Sequence, residues 1–350
     1  MNRLFTIMDR FAPEAIEIME IRYQVLRQVI HNSPIGRRQM ARNIGCTERV
    51  VRSEVELLKG RGALKTSAAG IFITPYGEEM LNDIDELIPF LFNIETLADQ
   101  LKKRFSLDEV IIVPGDSYQD NLAKKDLGRA AARFLEKLLY PGCIVAVSGG
   151  TTMAEMAEAI TEGVYLPDVL VVPARGGLGE DMEQQASSIA AHIARTIGAQ
   201  YRLLHIPDSL EKSTAQALKK DIHINKVVEI IKSSNILVQG IGSAIEMANR
   251  RGLTAQQIKD LQERQAVGEA LRYYFDKMGN IICETPGIGL EQGDLNNIDT
   301  IVAVAGGSNK AQAIDAVLSF RRQNVLITDE GAAKMIIYGK DDVNGSQGRD

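Results

Sequence analysis

The chain has 350 residues, a length that suits two domains better than one small core. Hydrophobic residues make up 45% and charged residues 25%, values typical of a folded soluble protein. No stretch approaches the roughly 20 apolar residues that a membrane-spanning helix needs.

The net charge of −6 is unevenly spread: residues 34–65 carry eight Lys/Arg against three acids, residues 1–33 balance, and everything beyond residue 65 sums to −11. One compact basic segment in an acidic chain points to a local polyanion site; a solvated basic face is the plain alternative. The opening MNRLFTIMDRF has neither the apolar core nor the cleavage site of a secretory signal. Cys46, Cys143 and Cys283, with His31, His192, His205 and His223, give no zinc-ligand spacing. The expectation is a cytoplasmic, reduced protein with no metal, no cofactor and no membrane contact.

The first predicted helix covers residues 14–31, with Ile18, Ile21, Val25 and Val29 at helical spacing, and Ser33-Pro34 ends it. A short second helix, RRQMARNI, turns Met40, Ala41 and Ile44 inward and stops at Gly45, which suits a left-handed turn. Thr47 is placed to cap a third helix, with Val51, Val55 and Leu58 toward the core and Arg49, Arg52, Ser53, Glu56 and Lys59 outward. Helix, tight turn and helix at this spacing present the third helix to a major groove. ALKTSAAGIFITP then reads as a hairpin wing, and Thr74-Pro75 starts another helix. The DNA-contacting candidates are Arg37, Arg38, Thr47, Glu48, Arg49, Arg52, Ser53, Lys59 and Lys65. Winged helices that bind only proteins exist; the coincidence of the basic window with the motif favours DNA. Residues 78–105 stay helix-rich, with a Leu87, Leu91, Ile94, Leu97, Leu101 stripe that serves either packing within the chain or a linker helix that pairs subunits.

From residue 109, strands alternate with helices: VIIVPG, CIVAVSGG, VLVVPARGG, YRLLHIP, NILVQGIG, TIVAVAGG and NVLITDEG. Continuous apolar strands of this kind predict a mostly parallel, doubly wound α/β sheet covered on both faces. Most of these strands run into glycine, and ligands of such sheets gather at strand carboxyl ends. Ser148-Gly149-Gly150-Thr151-Thr152 combines glycines, hydroxyls and a helix start, which is phosphate chemistry without the lysine-hydroxyl ending of a triphosphate loop. Arg175, in Pro173–Asp181, suits bidentate phosphate recognition, with Gln185 close behind. Gly306-Gly307-Ser308-Asn309-Lys310 repeats the glycine, hydroxyl and cation pattern. Gly240-Ile241-Gly242 precedes Arg250-Arg251 and, later, Glu269, a carboxylate suited to sugar hydroxyls.

IGRRQMARNIGCTERVVRSEVELLKGRG, VSGGTTMAEMAEAI, VVPARGGLGEDMEQQA and VAVAGGSNKAQAI resemble the SorC/DeoR family of bacterial transcription regulators over about residues 10–337, PARGGLGED most specifically. Threonine is expected where Ser148 stands, a change that keeps the hydroxyl. The resemblance implies a winged-helix repressor of glycolytic genes, an effector domain related to sugar-phosphate isomerases and glucosamine-phosphate deaminases, and fructose 1,6-bisphosphate as inducer. It implies ligand contacts from Gly149, Gly150, Thr151, Thr152, Arg175, Gln185, Arg250, Arg251, Glu269 and Lys310. It also implies a dimer that becomes a tetramer on operator DNA.

The expected layout is a DNA-binding domain over 1–92, a linker helix over 93–108, an effector domain over 109–338 and a disordered tail over 339–350. The rival reading is a sugar-phosphate isomerase or deaminase with an added interaction domain and Glu269 as base. The absence of histidine and cysteine from the four loops favours the regulator. A protein-interaction scaffold would leave the phosphate-type loops unexplained.

Overall fold

The fold is that of a computed structural model, which describes residues 2–161, 165–177, 181–208, 210–320 and 323–343. It divides into two compact units, Met1–Thr96 and Leu97–Asp350.

The first unit contains helices α1 (Asn2–Phe11), α2 (Pro13–Asn32), α3 (Arg37–Ile44) and α4 (Glu48–Gly60), strands β1 (Leu64–Ser67) and β2 (Gly70–Ile73), and helices α5 (Pro75–Ile84) and α6 (Ile88–Leu91). Gly45 ends α3 in the left-handed region (φ 80°), with its N–H donating to the Ala41 carbonyl. Thr47 caps α4 by accepting from the Val50 amide, and Val51, Val55 and Leu58 are buried. Between α2 and α3, Ile35 forms a single antiparallel bridge to Ile71, which ties this segment to the two-stranded β1–β2 wing. Ile18 was expected inward yet is exposed, because burial along α2 is concentrated between Tyr23 and Val29. The helix-rich stretch 78–105 is divided among several helices. Asn93 takes a positive φ of 54°, and a separate helix α7 (Glu95–Phe105) begins beyond it. Leu101 on α7 is fully buried and Arg104 donates to the Ile336 carbonyl and the Asp315 carboxylate, so this end of the helix is packed within the second unit.

The second unit is built on a parallel sheet of β3 (Glu109–Val113), β4 (Ile144–Val147), β5 (Leu170–Pro173), β6 (Gln200–Tyr201), β7 (Ile236–Gly240), β12 (Thr300–Val304) and β13 (Val325–Asp329), in the order β3-β13-β12-β7-β4-β5-β6. All seven were anticipated from the apolar runs, although β6 is only two residues long and YRLLHIP supplies just Tyr201 of it. Helices α8 (Asn121–Leu138), α9 (Thr151–Glu158) and α10 (Ala186–Thr196) share one core with Val145, Val147, Val171, Val238, Val302 and Ile327. The alternate residues Ala146, Val172, Leu237, Ala303 and Leu326 are buried too, so both faces of the sheet are covered, as strands with no polar face require.

Between β7 and β12 lies a part of the fold that the sequence reading did not anticipate. Helices α11 (Lys212–Lys219) and α12 (Ile222–Lys232) precede β7. After it, β8 (Gly242–Ser243), α13 (Ala244–Arg250), α14 (Ala255–Glu263), β9 (Ala266–Ala270), β10 (Tyr273–Asp276) and β11 (Ile281–Glu284) form a four-stranded antiparallel sheet in the order β11-β10-β9-β8, with two helices beside it. Helices α15 (Ala311–Phe320) and α16 (Glu330–Val343) complete the unit, and α16 is broken at Gly339 (φ 75°). The expected disordered tail therefore begins within helix, and its remainder, 344–350, lies outside the described residues, as do Leu178, Gly179 and Glu180 of the PARGGLGED motif.

Candidate functional site

Strand order places the ligand cleft. The chain runs outward from β4 through β5 to β6, then returns to β7 on the other side of β4, so the winding reverses between β4 and β7. A crevice opens beyond the carboxyl ends of strands at such a point. There the Ser148 hydroxyl accepts from the Gly240 amide at 2.9 Å, joining the loops that follow the two strands. An open cleft lies over this junction, lined among others by Gly149, Gly150, Thr151, Thr152, Arg175, Arg250, Glu269 and Lys310. Eight of the ten expected contacts thus meet in one cavity. Gln185 lines an adjoining recess with Gly149, Arg175 and Arg250.

The cleft wall on the β4 side is the start of α9. Gly149 has no room for a side chain, because a Cβ would stand 2.7 Å from the Gln184 carbonyl oxygen. Gly150 takes φ 126°, and its amide donates to that same carbonyl, so it is spent on holding the loop. The amides of Thr151, Thr152 and Met153 have no backbone partner among the described residues, and no side chain caps them. Those N–H groups, two hydroxyls and the positive end of the helix dipole form an anion-binding surface. Lys310 faces the same cleft from beyond β12.

The opposite wall is a buried ion network. Arg175 is held in place because Gly176 donates to the Ile288 carbonyl and Gly177 to the Ile206 carbonyl. Gly289 makes this three-segment contact possible, since a Cβ there would stand 2.4 Å from the Ala174 oxygen. Arg175 Nη1 donates to Asp208 Oδ2 at 2.8 Å and lies 3.6 Å from Glu269 Oε1. Arg251 donates from Nε to the same Asp208 oxygen at 2.8 Å, from Nη2 to Glu269 Oε1 at 2.7 Å and from Nη1 to the Tyr274 hydroxyl at 3.1 Å. Glu269 also accepts from the Arg272 amide in the tight β9–β10 turn, where Leu271 and Arg272 both have positive φ. Burial first, and the Glu269 charge second, push the Asp208 carboxyl up to about 8, with Arg272 pulling the other way. Glu269, committed to two donors and almost fully buried, is an acceptor and a counter-charge rather than a free base.

Arg251 is therefore behind the cleft, not in it. Successive residues of a helix point about 100° apart, so one face of α13 cannot carry both Arg250 and Arg251. The residue sharing the Arg250 face is Glu246, four earlier, and it lines the cleft. This acid went unnoticed in the sequence, although the i, i+4 spacing was there to read. Leu271, Met247 and Asp208 were also missed: Leu271 lies in the β9–β10 turn, Met247 on α13 and Asp208 in the loop beyond β6, and no strand or glycine motif marked any of them. The third glycine loop also departs from expectation. Its Gly307 amide donates to Asp329 Oδ2, and its Ser308 amide and hydroxyl donate to Asp116. Asp329 is fully buried, and burial pushes its carboxyl up. The loop is thus folded onto acids, and of the repeated glycine, hydroxyl and cation pattern Lys310 is the part that reaches the cleft. No histidine or cysteine lines the cleft, and no group of metal-ligating side chains occurs among the described residues.

In the first unit, Arg49, Arg52 and Ser53 project from α4 into solvent, opposite Val51 and Val55. Arg37 and Arg38 are exposed at the start of α3, where Arg38 meets Glu48 at 3.3 Å. Lys59 lies 3.7 Å from Glu56, and Lys65 on β1 sits over the Phe72 ring at 5.8 Å.

Two family models match the chain: a sugar-binding domain (Sugar-bind) over residues 91–338 and the CggR N-terminal DNA binding domain over residues 18–88. The chain is similar to the central glycolytic genes regulators of Priestia megaterium and Bacillus subtilis. The first is 40% identical over 338 residues and the second 38% over 337; each alignment covers 96% of this chain and 99% of the relative. Among solved structures, a SorC family transcriptional regulator from Enterococcus faecalis is 37% identical, with a TM-score of 0.64 over 69% of this chain and 99% of that one.

Proposed function

The chain belongs to the central glycolytic genes regulator family within the SorC/DeoR regulators, a DNA-binding transcription regulator rather than an enzyme, and from that premise we propose that it represses glycolytic genes and is controlled by fructose 1,6-bisphosphate. Helix α4 enters the major groove of operator DNA, with the wing on the phosphate backbone. The bisphosphate enters the cleft beyond β4 and β7. One phosphate takes the free amides of α9 with Thr151, Thr152 and Lys310; the other takes Arg175 and Arg250, with Gln185 beside them. Glu246 accepts from sugar hydroxyls between them. Effector binding releases the protein from its operator or remodels it there. The protein works in the cytoplasm as a dimer that forms a tetramer on DNA, the symmetry a palindromic operator asks for. No helix among the described residues is long and apolar enough to cross a membrane.

One observation carries this reading: unpaired amides at a helix start, two hydroxyls and the cations Arg175, Arg250 and Lys310 converge on one cleft whose lining has no histidine or cysteine. Calorimetric titration tests it. Fructose 1,6-bisphosphate is expected to bind one site per chain more tightly than fructose 6-phosphate, with both weakened in Thr152→Ala. Equal affinity for bisphosphate and unphosphorylated fructose would refute it.

A further inference from the structure

We propose that Asp208 is a built-in competitor of the effector phosphate: its carboxylate shares Arg175 with the cleft, so it sets how strongly a phosphate dianion is held. This rests on the proposed function for the class of ligand, and deepens it by naming a residue that tunes affinity without touching the ligand.

The geometry is specific. Asp208 is 1% exposed, and a single oxygen, Oδ2, accepts from both Arg175 and Arg251. Its other oxygen, Oδ1, is buried without a hydrogen-bond partner among the described residues. A carboxylate held this way is incompletely satisfied, and its main compensation is the charge of the two guanidinium groups. Arg175 is one of them, and Arg175 is also the cation that faces the cleft from β5. A dianion arriving there draws on the same guanidinium. The more negative Asp208 is, the less of that charge the dianion can use.

The backbone makes the arrangement stiff. Asp208 donates its amide to the Gly177 carbonyl at 2.7 Å, two residues beyond Arg175. The backbone that carries Arg175 is thus tied to the backbone of Asp208, which keeps the guanidinium and the carboxylate within reach of each other. The groups facing Asp208 are Arg175, Arg251, Glu269, Arg272 and Tyr274, with Glu284 beyond Arg272 at 3.3 Å. Guanidinium groups keep their charge throughout the accessible range, and burial pushes the Tyr274 phenol further above its ordinary value. A phosphate monoester is fully dianionic above about pH 7.5. Asp208, pushed up to about 8 by burial and the Glu269 charge, titrates between pH 7.5 and 9. Its ionisation adds a competing charge, so dianion affinity falls as pH rises through about 8.

The test is calorimetric titration of the full chain and of Asp208→Asn with inorganic phosphate and with fructose 1,6-bisphosphate, at pH 7.5 and 9. Asparagine keeps the acceptor and removes the charge. The expected result at pH 9 is dianion binding about tenfold tighter in Asp208→Asn than in the unsubstituted chain, the scale of one charge-assisted hydrogen bond. The unsubstituted chain is expected to lose affinity from pH 7.5 to 9, and the variant to show a much flatter profile. A residue that only supports the fold would give weaker or unchanged binding, and either would overturn the proposal. Should the variant fail to fold, the unsubstituted chain still decides: a flat affinity between pH 7.5 and 9 contradicts competition. If the bisphosphate does not bind but inorganic phosphate does, and gains affinity in Asp208→Asn, the proposed effector is wrong and Asp208 remains a competitor.

Discussion

Arg250 and Arg251 are neighbours in sequence and differ in every physical respect. Arg250 lines the cleft and donates to the Gln184 side chain at 3.1 Å; Arg251, its side chain wholly inaccessible to solvent, neutralises two buried acids. Arg251→Ala is expected to destabilise the second unit by about 3–5 kcal/mol, because it strands Asp208 and Glu269 without their partner. The loss would register in thermal unfolding before any effect specific to the ligand. Arg175→Ala also removes a partner of Asp208 and so is expected to cost some stability, and at temperatures where it stays folded to cut bisphosphate affinity far more than monophosphate affinity; equal losses for both ligands, measured calorimetrically, would count against two separate phosphate positions. In the first unit, Arg52 is exposed on α4. Arg52→Ala should lower specific operator affinity by about 1–3 kcal/mol, as loss of a bidentate base contact does. Lys65→Ala in the wing should weaken operator and random DNA alike. A footprint with the wing on bases and α4 away from DNA would reverse these roles. The residue types at the cleft were legible because glycine, hydroxyl and cation stand together after apolar strands. Their directions were not, since those depend on helix phase: Glu246 was overlooked and Arg251 included for that reason.

At the scale of elements, parallel strands were the easiest to read, because burial on both faces leaves continuous apolar runs such as IVAV and TIVAV. The β8–β11 sheet has two-residue and four-residue strands and a turn of non-glycine residues at Leu271-Arg272, so neither alternation nor a glycine turn announced it. Helix α7 falls inside the linker helix expected over 93–108, but its start was not legible, because the leucine stripe continues across Asn93, where the backbone does not. Helix α9, which presents its amides to the cleft, depends on close contact with α8. A Cβ on Gly128 would stand 2.6 Å from the Glu155 carbonyl carbon. Gly128→Ala is therefore expected to push α8 and α9 apart at a cost of about 1–3 kcal/mol and to loosen phosphate binding together with stability. A variant with unchanged unfolding temperature would show that the two helices are not held so closely.

For the whole molecule, the account joins a ligand equilibrium to a DNA equilibrium. A ligand shifts a protein between states only by its differential affinity for them, and the coupling is reciprocal. If the bisphosphate weakens operator binding, operator DNA must weaken bisphosphate binding by the same factor. In the proposed dimer on two half-sites the ligand would have a second lever, since loss of cooperativity between protomers lowers operator occupancy without any change at the groove. The most direct measurement is operator affinity of the full chain, determined with and without saturating fructose 1,6-bisphosphate and repeated with Arg175→Ala. The account predicts that the bisphosphate lowers operator affinity or cooperativity in the unsubstituted chain and has little effect in the variant. Operator binding that stays the same at saturating bisphosphate in the unsubstituted chain would contradict it.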